Sequence, residues 1–258
     1  MDTGFSTDVD HGVLEITFNR PERRNPLDYA TVEALNESLR AADSDSEVRC
    51  VLLRGEGKGF TAGGDLAEFR AQLDSTSLDY HQTGAPWADL LTLIPRMSKP
   101  VVAAPHGFVM AGGVGIVAAA DVAVAAQGTV FGTSEIKIGF FPLMILPTLQ
   151  RAVGARQAGE LALTGRRFDA QEALRMGLVH QVLPSEGYTA AARVIARDLA
   201  TLGSVTLALG KAYLRDIDGL PTESATQLGR AVRGAFMSGP DLVEGLDAFL
   251  EKRAPRFN

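Results

Sequence analysis

Near the start of the chain, apolar residues alternate or run together over residues 5–9 and 13–18, with Asp10, His11 and Gly12 between them. This predicts a hairpin. The polar, proline-bearing stretch NRPERRNPLD ends the alternation, and beyond it Val32, Leu35 and Leu39 keep helical spacing. Asp28 stands where an N-cap for that helix belongs. A continuous apolar run over residues 48–54 reads as a buried strand, and the segment after it, GEGKGFTAGGDL, carries five glycines in twelve residues before launching a short helix.

Polar residues 72–84 suggest an exposed connection, and residues 86–97, with Trp87, suggest another helix. The strand, glycine loop and helix sequence then recurs. Residues 101–104 read as a strand, PHGFVMAGG as a loop, 114–120 as a helix and 121–126 as a strand. Two such units in succession point to an α/β core whose loops gather on one side of the sheet. Beyond residue 183 the pattern is helical throughout, with helices expected over 190–202, 205–217, 222–237 and 241–253. The expected division is a core of residues 1–195 and a helical region of residues 196–258.

Composition narrows the class. With 258 residues the chain is long enough for one or two domains of roughly 150 residues. At 46% hydrophobic and 22% charged it is globular. Its net charge of -6 offers no footprint for nucleic acid. Cys50 is the single cysteine, so neither an internal disulfide nor a multi-cysteine metal site is available. No metal is expected. The twelve residues MDTGFSTDVDHG show no leader pattern, which makes the cytoplasm the expected location. The 21 uncharged residues between Lys99 and Asp121 match a membrane span in length, but two prolines and four glycines interrupt them and no aromatic belt frames them.

Two glycine loops that open helices have a specific chemical use. Each helix N-terminus presents unpaired N–H groups and a positive dipole end, so two of them converging on one oxygen can stabilise developing negative charge. The Gly63-Gly64 and Gly112-Gly113 pairs are the candidates, the alternative being tight turns and close helix packing. A dinucleotide fingerprint competes for the second loop, since residues 113–118 match G-x-G-x-x-A and Glu135 follows Gly115 by twenty residues. That reading needs the strand to run directly into the first glycine, whereas Pro105, His106 and more loop intervene. Glu135 sits among Ile136, Ile138, Phe140 and Phe141, where burial would raise its pKa into a range useful for proton transfer, the alternative being a surface or capping carboxylate. His106 reads as a loop hydrogen-bonding residue and Asp121 as structural. There is no G-x-S-x-G, and neither glycine loop holds a serine, so a serine nucleophile has no place to sit.

The segments LEITFNRPERRNPLD, GKGFTAGGDLAEF, KPVVAAPHGFVMAGGVG, FGTSEIKIGFFP, AGELALTGRRFDAQEALRMGLVHQVLP and EGLDAFLEKRAPRF resemble, in order and spacing, the enoyl-CoA hydratase/isomerase (crotonase) family. The resemblance spans nearly the whole chain. It implies an α/β fold with a superhelical core of repeated ββα units and a C-terminal all-helical trimerisation region. It also implies an acyl-CoA substrate, no separate cofactor beyond the coenzyme A that the substrate carries, and a homotrimer or dimer of trimers; the acidic charge and the interrupted apolar run leave neither nucleic acid nor membrane as an expected partner. By position, the oxyanion-hole amides would be those of Gly64 and Gly112, with Glu135 as acid and base. Coenzyme A would meet Arg24, Ala62, Gly64, Asp65 and Leu66, together with Phe249 and Lys252 reaching a neighbouring copy, and residues 72–87 would border the acyl pocket.

One departure shapes the expected reaction. Hydratases of this family use two glutamates, and this chain has Gly115 at the position of the first. A single carboxylate can still carry a proton between two carbons on one face of a substrate, which favours double-bond isomerisation over water addition. Glu68, His81 or a group of the substrate itself are the candidates to substitute for the missing carboxylate. The other readings are a coenzyme A-binding homologue without turnover and a different crotonase-type reaction on a specialised acyl-CoA.

Overall fold

The computed structural model describes residues 3–257. Strands β1 (Phe5–Asp10) and β2 (Val13–Phe18) form the expected hairpin, with Asp10 opposite Val13 and the two turn residues, His11 and Gly12, both left-handed. After β3 (Pro26–Leu27), helix α1 (Tyr29–Ser44) begins at Asp28, whose carboxylate accepts the Thr31 N–H. Then come β4 (Cys50–Gly55), β5 (Gly63–Gly64), α2 (Leu66–Ala71), α3 (Ser77–Leu93), β6 (Val101–Ala103), β7 (Phe108–Met110), α4 (Gly112–Ala119) and β8 (Val122–Ala126). The next stretch holds β9 (Val130–Gly132), α5 (Leu146–Val153), α6 (Ala155–Thr164), β10 (Arg167–Asp169), α7 (Ala170–Met176) and β11 (Gln181–Leu183). Four helices finish the chain: α8 (Tyr188–Ala200), α9 (Ser204–Asp216), α10 (Thr222–Met237) and α11 (Pro240–Glu251).

The main sheet runs β1-β2-β4-β6-β8-β11, parallel everywhere except in the opening hairpin. Its central strands are buried on both faces, which is why they read as unbroken apolar runs. Val51, Leu53, Val101, Ala103, Ala123 and Ala125 join the core with α1, α3 and α4, while their neighbours Cys50, Leu52, Val102, Val124 and Ala126 pack under Tyr188, Ala192, Ala196 and Ala200 of α8. Two smaller sheets carry the loops: β3 pairs with β5, and β7 pairs with β9, which pairs with β10. A Thr61 to Val109 bridge stitches these two sheets together.

The structure corrects two local expectations. Residues 77–84, read as connection, form the outer turns of α3, because Thr76 and Asp79 close a reciprocal capping box and the polar residues face solvent. Pro86 lies inside that helix, and its carbonyl accepts the Asn36 side-chain amide at 2.8 Å, which fixes α3 to α1. The segment PHGFVMAGG, read as loop, contains β7.

Among the C-terminal helices, α9 is held by the buried Lys211, which pairs with Asp121 and donates to the carbonyls of Lys99 (2.8 Å) and Ile94 (3.4 Å). Asp241 of α11 accepts the Thr206 N–H at 2.7 Å, completing the N-terminus of α9 from a neighbouring helix. Helix α10 has no buried residue.

Candidate active site

The two glycine loops meet. Phe60 donates its N–H to the carbonyls of His106 and Phe108, both at 3.0 Å, and Met110 donates to the Thr61 carbonyl at 3.0 Å. At the contact, a Cβ on Gly63 would lie 2.8 Å from Ala111 Cβ, 2.8 Å from the Met110 oxygen and 3.2 Å from the Gly112 nitrogen. Gly63 also has φ +88°, so both its backbone conformation and its surroundings require glycine.

Ala111 turns the chain through φ +50° while donating its N–H to the Gly132 carbonyl at 2.8 Å, and α4 begins at the next residue. As the first residue of the helix, Gly112 has an N–H with no partner inside it. The Gly64 N–H is also turned outward. Alternate residues of a parallel ladder address one neighbour, and Pro26 of β3 has no N–H to give, so Gly63 and Asp65 serve β3 and Gly64 faces away from it. The structure thus brings together the two loops whose amides the sequence singled out.

Apolar side chains wall this junction. A Cβ on Gly64 would stand 2.9 Å from the tip of the Phe69 ring, and one on Gly112 would run into the six-membered ring of Trp87. Deeper along α4, a Cβ on Gly115 would fall 2.9 Å from Ile145 Cβ and 3.2 Å from Leu91 Cδ2. The place of a second carboxylate is therefore packed with hydrocarbon.

Glu135 lies in a single 3-10 turn, Ser134–Ile138, directly after β9. That turn is tied to the second loop, because Met110 pairs with Gly132 in the β7-β9 ladder. Thr133 anchors it from behind by donating its hydroxyl to the Leu161 carbonyl at 2.7 Å. The Phe140 backbone N–H donates to the Glu135 carbonyl at 3.1 Å, and the centroid of the Phe140 ring lies 6.2 Å from that of Phe69. The Glu135 side chain is half-buried, and its Oε2 is buried without a hydrogen-bond partner. Burial pushes its pKa above the ordinary carboxylate value. A hydrogen bond from its own backbone N–H opposes that shift without cancelling it.

The remaining sequence candidates divide by what they touch. Arg24 is exposed, with a left-handed backbone, and its carbonyl accepts the Ala62 N–H at 2.9 Å, so these two are neighbours beside the first loop. Asp65 is buried and committed to the fold, capping α2 through the Ala67 N–H at 2.8 Å and pairing with Arg23 at 2.6 Å. Leu66 is exposed at the start of α2. Phe249, 80% exposed, and Lys252 stand at the end of α11, which packs against α9. Glu68 accepts the Tyr29 N–H at 2.9 Å and so completes the N-terminus of α1. His81 is exposed on the outer part of α3. His106 bonds the Gly57 carbonyl through Nε2 (2.9 Å) and Tyr188 through Nδ1 (3.1 Å), as a loop-tying residue should. Asp121 accepts the Val101 N–H at 2.7 Å and the charge of Lys211, a structural role.

Sequence reasoning did not identify Phe69, Leu91 or Ile145 as walls of the junction. The available signal was weak: Phe69 lies four residues after the Asp65 cap, one helical turn along α2. Among the described residues no group of three or more His, Cys, Asp or Glu is placed to hold a metal ion. No helix among them is long and apolar enough to cross a membrane.

Comparison with known proteins agrees with this architecture. The sequence model described as enoyl-CoA hydratase/isomerase matches residues 8–258. A Thermus thermophilus protein, named provisionally as an enoyl-CoA hydratase, is 35% identical over 250 residues, covering 96% of this chain and 99% of the relative. The 1,2-epoxyphenylacetyl-CoA isomerase of Escherichia coli is 30% identical over 254 residues, covering 96% of each. The crystal structure of an enoyl-CoA hydratase from Mycobacterium smegmatis superposes with a TM-score of 0.92 at 32% identity, covering 98% of both chains. The extent of these matches, on a fold of ββα units with C-terminal helices, shows that the chain belongs to the enoyl-CoA hydratase/isomerase family of acyl-CoA enzymes.

Proposed function

We propose that the protein shifts a double bond within an enoyl-CoA thioester, with Glu135 as the single proton carrier and the Gly64 and Gly112 amides holding the thioester oxygen. In this reading the Glu135 carboxylate removes a proton from the carbon next to the thioester carbonyl of a 3-enoyl-CoA. The electron pair moves onto the carbonyl oxygen and is spread along the neighbouring double bond. Protonated Glu135 then delivers the same proton to the fourth carbon, and the double bond comes to rest conjugated with the thioester. No water enters or leaves the balance. Two fixed amides bind the oxygen more strongly in the enolate than in the substrate, and one such donor is typically worth about 3 kcal/mol.

The observation that carries the choice of isomerisation is the packing at Gly115. Water addition needs a group to orient the water, and at this position the chain offers Ile145 and Leu91 instead. Glu68 is already engaged with the α1 N-terminus, whereas Glu135 keeps one buried carboxyl oxygen, Oε2, without a partner.

For coenzyme A, the exposed Arg24 guanidinium suits the phosphates. The Ala62 carbonyl, whose N–H partner already serves Arg24, suits the adenine amino group. Phe249 and Lys252 would reach the coenzyme A of a neighbouring copy. A trimer is supported by the exposed apolar surface of Met237, Leu246, Phe249 and Leu250, far more than one helical pair needs to show to water.

Supplying crotonyl-CoA and 3-hexenoyl-CoA separately tests the reading. Conversion of the 3-enoyl thioester to its conjugated isomer, with little hydration of crotonyl-CoA, is expected. Fast hydration of crotonyl-CoA would overturn it.

A further inference from the structure

Thr61 is a polar residue with no exposed surface, set where the two glycine loops cross. Each of its groups holds something. The carbonyl accepts the Met110 N–H at 3.0 Å, which ties it to the second loop, and the methyl fills the place that a side chain on Gly113 would take at the start of α4. The hydroxyl donates to the Asn25 carbonyl at 2.5 Å and accepts the Gly63 N–H at 3.0 Å. A hydroxyl has one proton and a carbonyl can only accept, so the direction of this relay is set.

The far end of the relay is rigid. Asn25 is buried with φ +51°, and its side-chain amide donates to the carbonyls of Glu56 and Gly59, both at 2.9 Å, and of Phe60 at 3.2 Å. The near end is not rigid by itself. Gly63 and Gly64 lack side chains, so the peptides around them have the widest choice of orientation in the loop. Holding the Gly63 N–H on the β3 side removes that choice and leaves the Gly64 N–H facing away from β3. A valine would fill the same volume and supply none of this.

We infer that Thr61 is a positioning residue for the thioester oxygen: its hydroxyl fixes the direction of the Gly64 amide, while its carbonyl keeps the second loop, and with it Gly112, alongside. It touches no substrate. The inference rests on the oxyanion reading above and goes beyond it by naming what aims the first amide.

Infrared difference spectra of bound butyryl-CoA, isotope-labelled at the thioester carbonyl, test this without turnover, because hydrogen bonds to the oxygen lower its stretching frequency. The wild type should show a clear downward displacement from the free thioester. Thr61→Val, which keeps the methyl and removes the hydroxyl, should lose at least about half of that displacement and lower kcat on 3-hexenoyl-CoA by about tenfold or more, with KM within about threefold of wild type. Thr61→Ser, which keeps the hydroxyl, should retain the displacement and stay within about threefold of wild type in kcat. Thr61→Ala replaces the valine variant if that does not fold, and it differs from Thr61→Ser by the hydroxyl alone. An undiminished displacement in the hydroxyl-free variant, or equal losses in it and in Thr61→Ser, overturns the inference and leaves the oxyanion reading standing. No displacement in the wild type overturns both.

Discussion

Ile145 stands where a side chain on Gly115 would have to go, its Cβ 2.9 Å from the position a Cβ at that glycine would take. The glycine and the isoleucine are therefore one feature: small on the helix, large on the wall. Gly115→Glu alone should lose about 1–3 kcal/mol or more from overpacking and gain no hydration of crotonyl-CoA. Combining it with Ile145→Ala frees the space, and slow hydration should then appear in the double variant only. Denaturant unfolding and a hydration assay on the single and double variants check both halves.

The proton-carrying role proposed for Glu135 would have a pH signature. Burial raises its pKa above the usual 4.5, so the base form is reached later than for a surface glutamate. The kcat/KM profile should rise with a midpoint above 4.5, and Glu135→Gln should lower kcat by about 10²- to 10⁴-fold. The same shift bears on stability. Because the folded state holds the proton more tightly than the unfolded chain, wild-type stability falls as pH rises from the unfolded value through the folded one. Glu135→Gln lacks that loss, so above this window it should melt at or above the wild-type temperature. A variant both inactive and much less stable would point to a structural role instead.

Gly63 supports the junction without touching substrate. Gly63→Ala forces a left-handed alanine against the Met110 carbonyl and displaces the Gly112 nitrogen, so the two amides should no longer share one target. Losing one oxyanion donor typically costs 10²- to 10³-fold in kcat, and a decrease of about that size with little change in KM is expected. Steady-state kinetics on a 3-enoyl-CoA separates the two parameters.

Lys211 and Asp121 dock α9 on the ends of the sheet, with the Lys211 ammonium buried among carbonyls and the Asp121 carboxylate half-buried beside it. Lys211→Met removes hydrogen bonds to three acceptors and leaves Asp121, which water and the Val101 N–H still reach, so it should cost about 1–3 kcal/mol. Lys211→Met with Asp121→Asn should cost less, because the asparagine oxygen still accepts the Val101 N–H. Urea unfolding of the two variants orders them.

Glu15 gives an acid-sensitive joint between β2, β4 and α8. Burial pushes its pKa up, but bonds from Arg193 (2.6 and 2.8 Å) and Arg54 outweigh that and hold it at about 2. The depressed value stabilises the folded protein above the unfolded carboxyl pKa, and that contribution fades as pH falls from about 4.5 toward about 2. Glu15→Gln should flatten the acid limb of a melting-temperature series over this range.

Where a residue's neighbours along the chain decide its structure, the sequence was readable. The left-handed turn at His11 and Gly12, the Asp28 cap and the four C-terminal helices carry their own local signals. The two glycine loops were visible for the same reason. Strands β7, β9 and β10 are three residues each, too short for any period to show, and they exist because neighbouring chain segments complete them. The outer turns of α3 looked like connection because an exposed helix needs no apolar stripe on that side. Ile145 at Gly115 and Phe69 at Gly64 are contacts between distant segments, and no spacing rule points to them.

Helix α10 spans sixteen residues and buries none of them. Alone, such a segment cannot recover the entropy of its own ordering. If copies associate over this surface, as proposed above, its persistence becomes a matter of population, and on dilution α10 should fray first, while α9, anchored by Lys211, and the sheet hold. Amide exchange followed across a dilution series would register that gradient as protection in α10 that fades with concentration while protection in β4 and β6 holds.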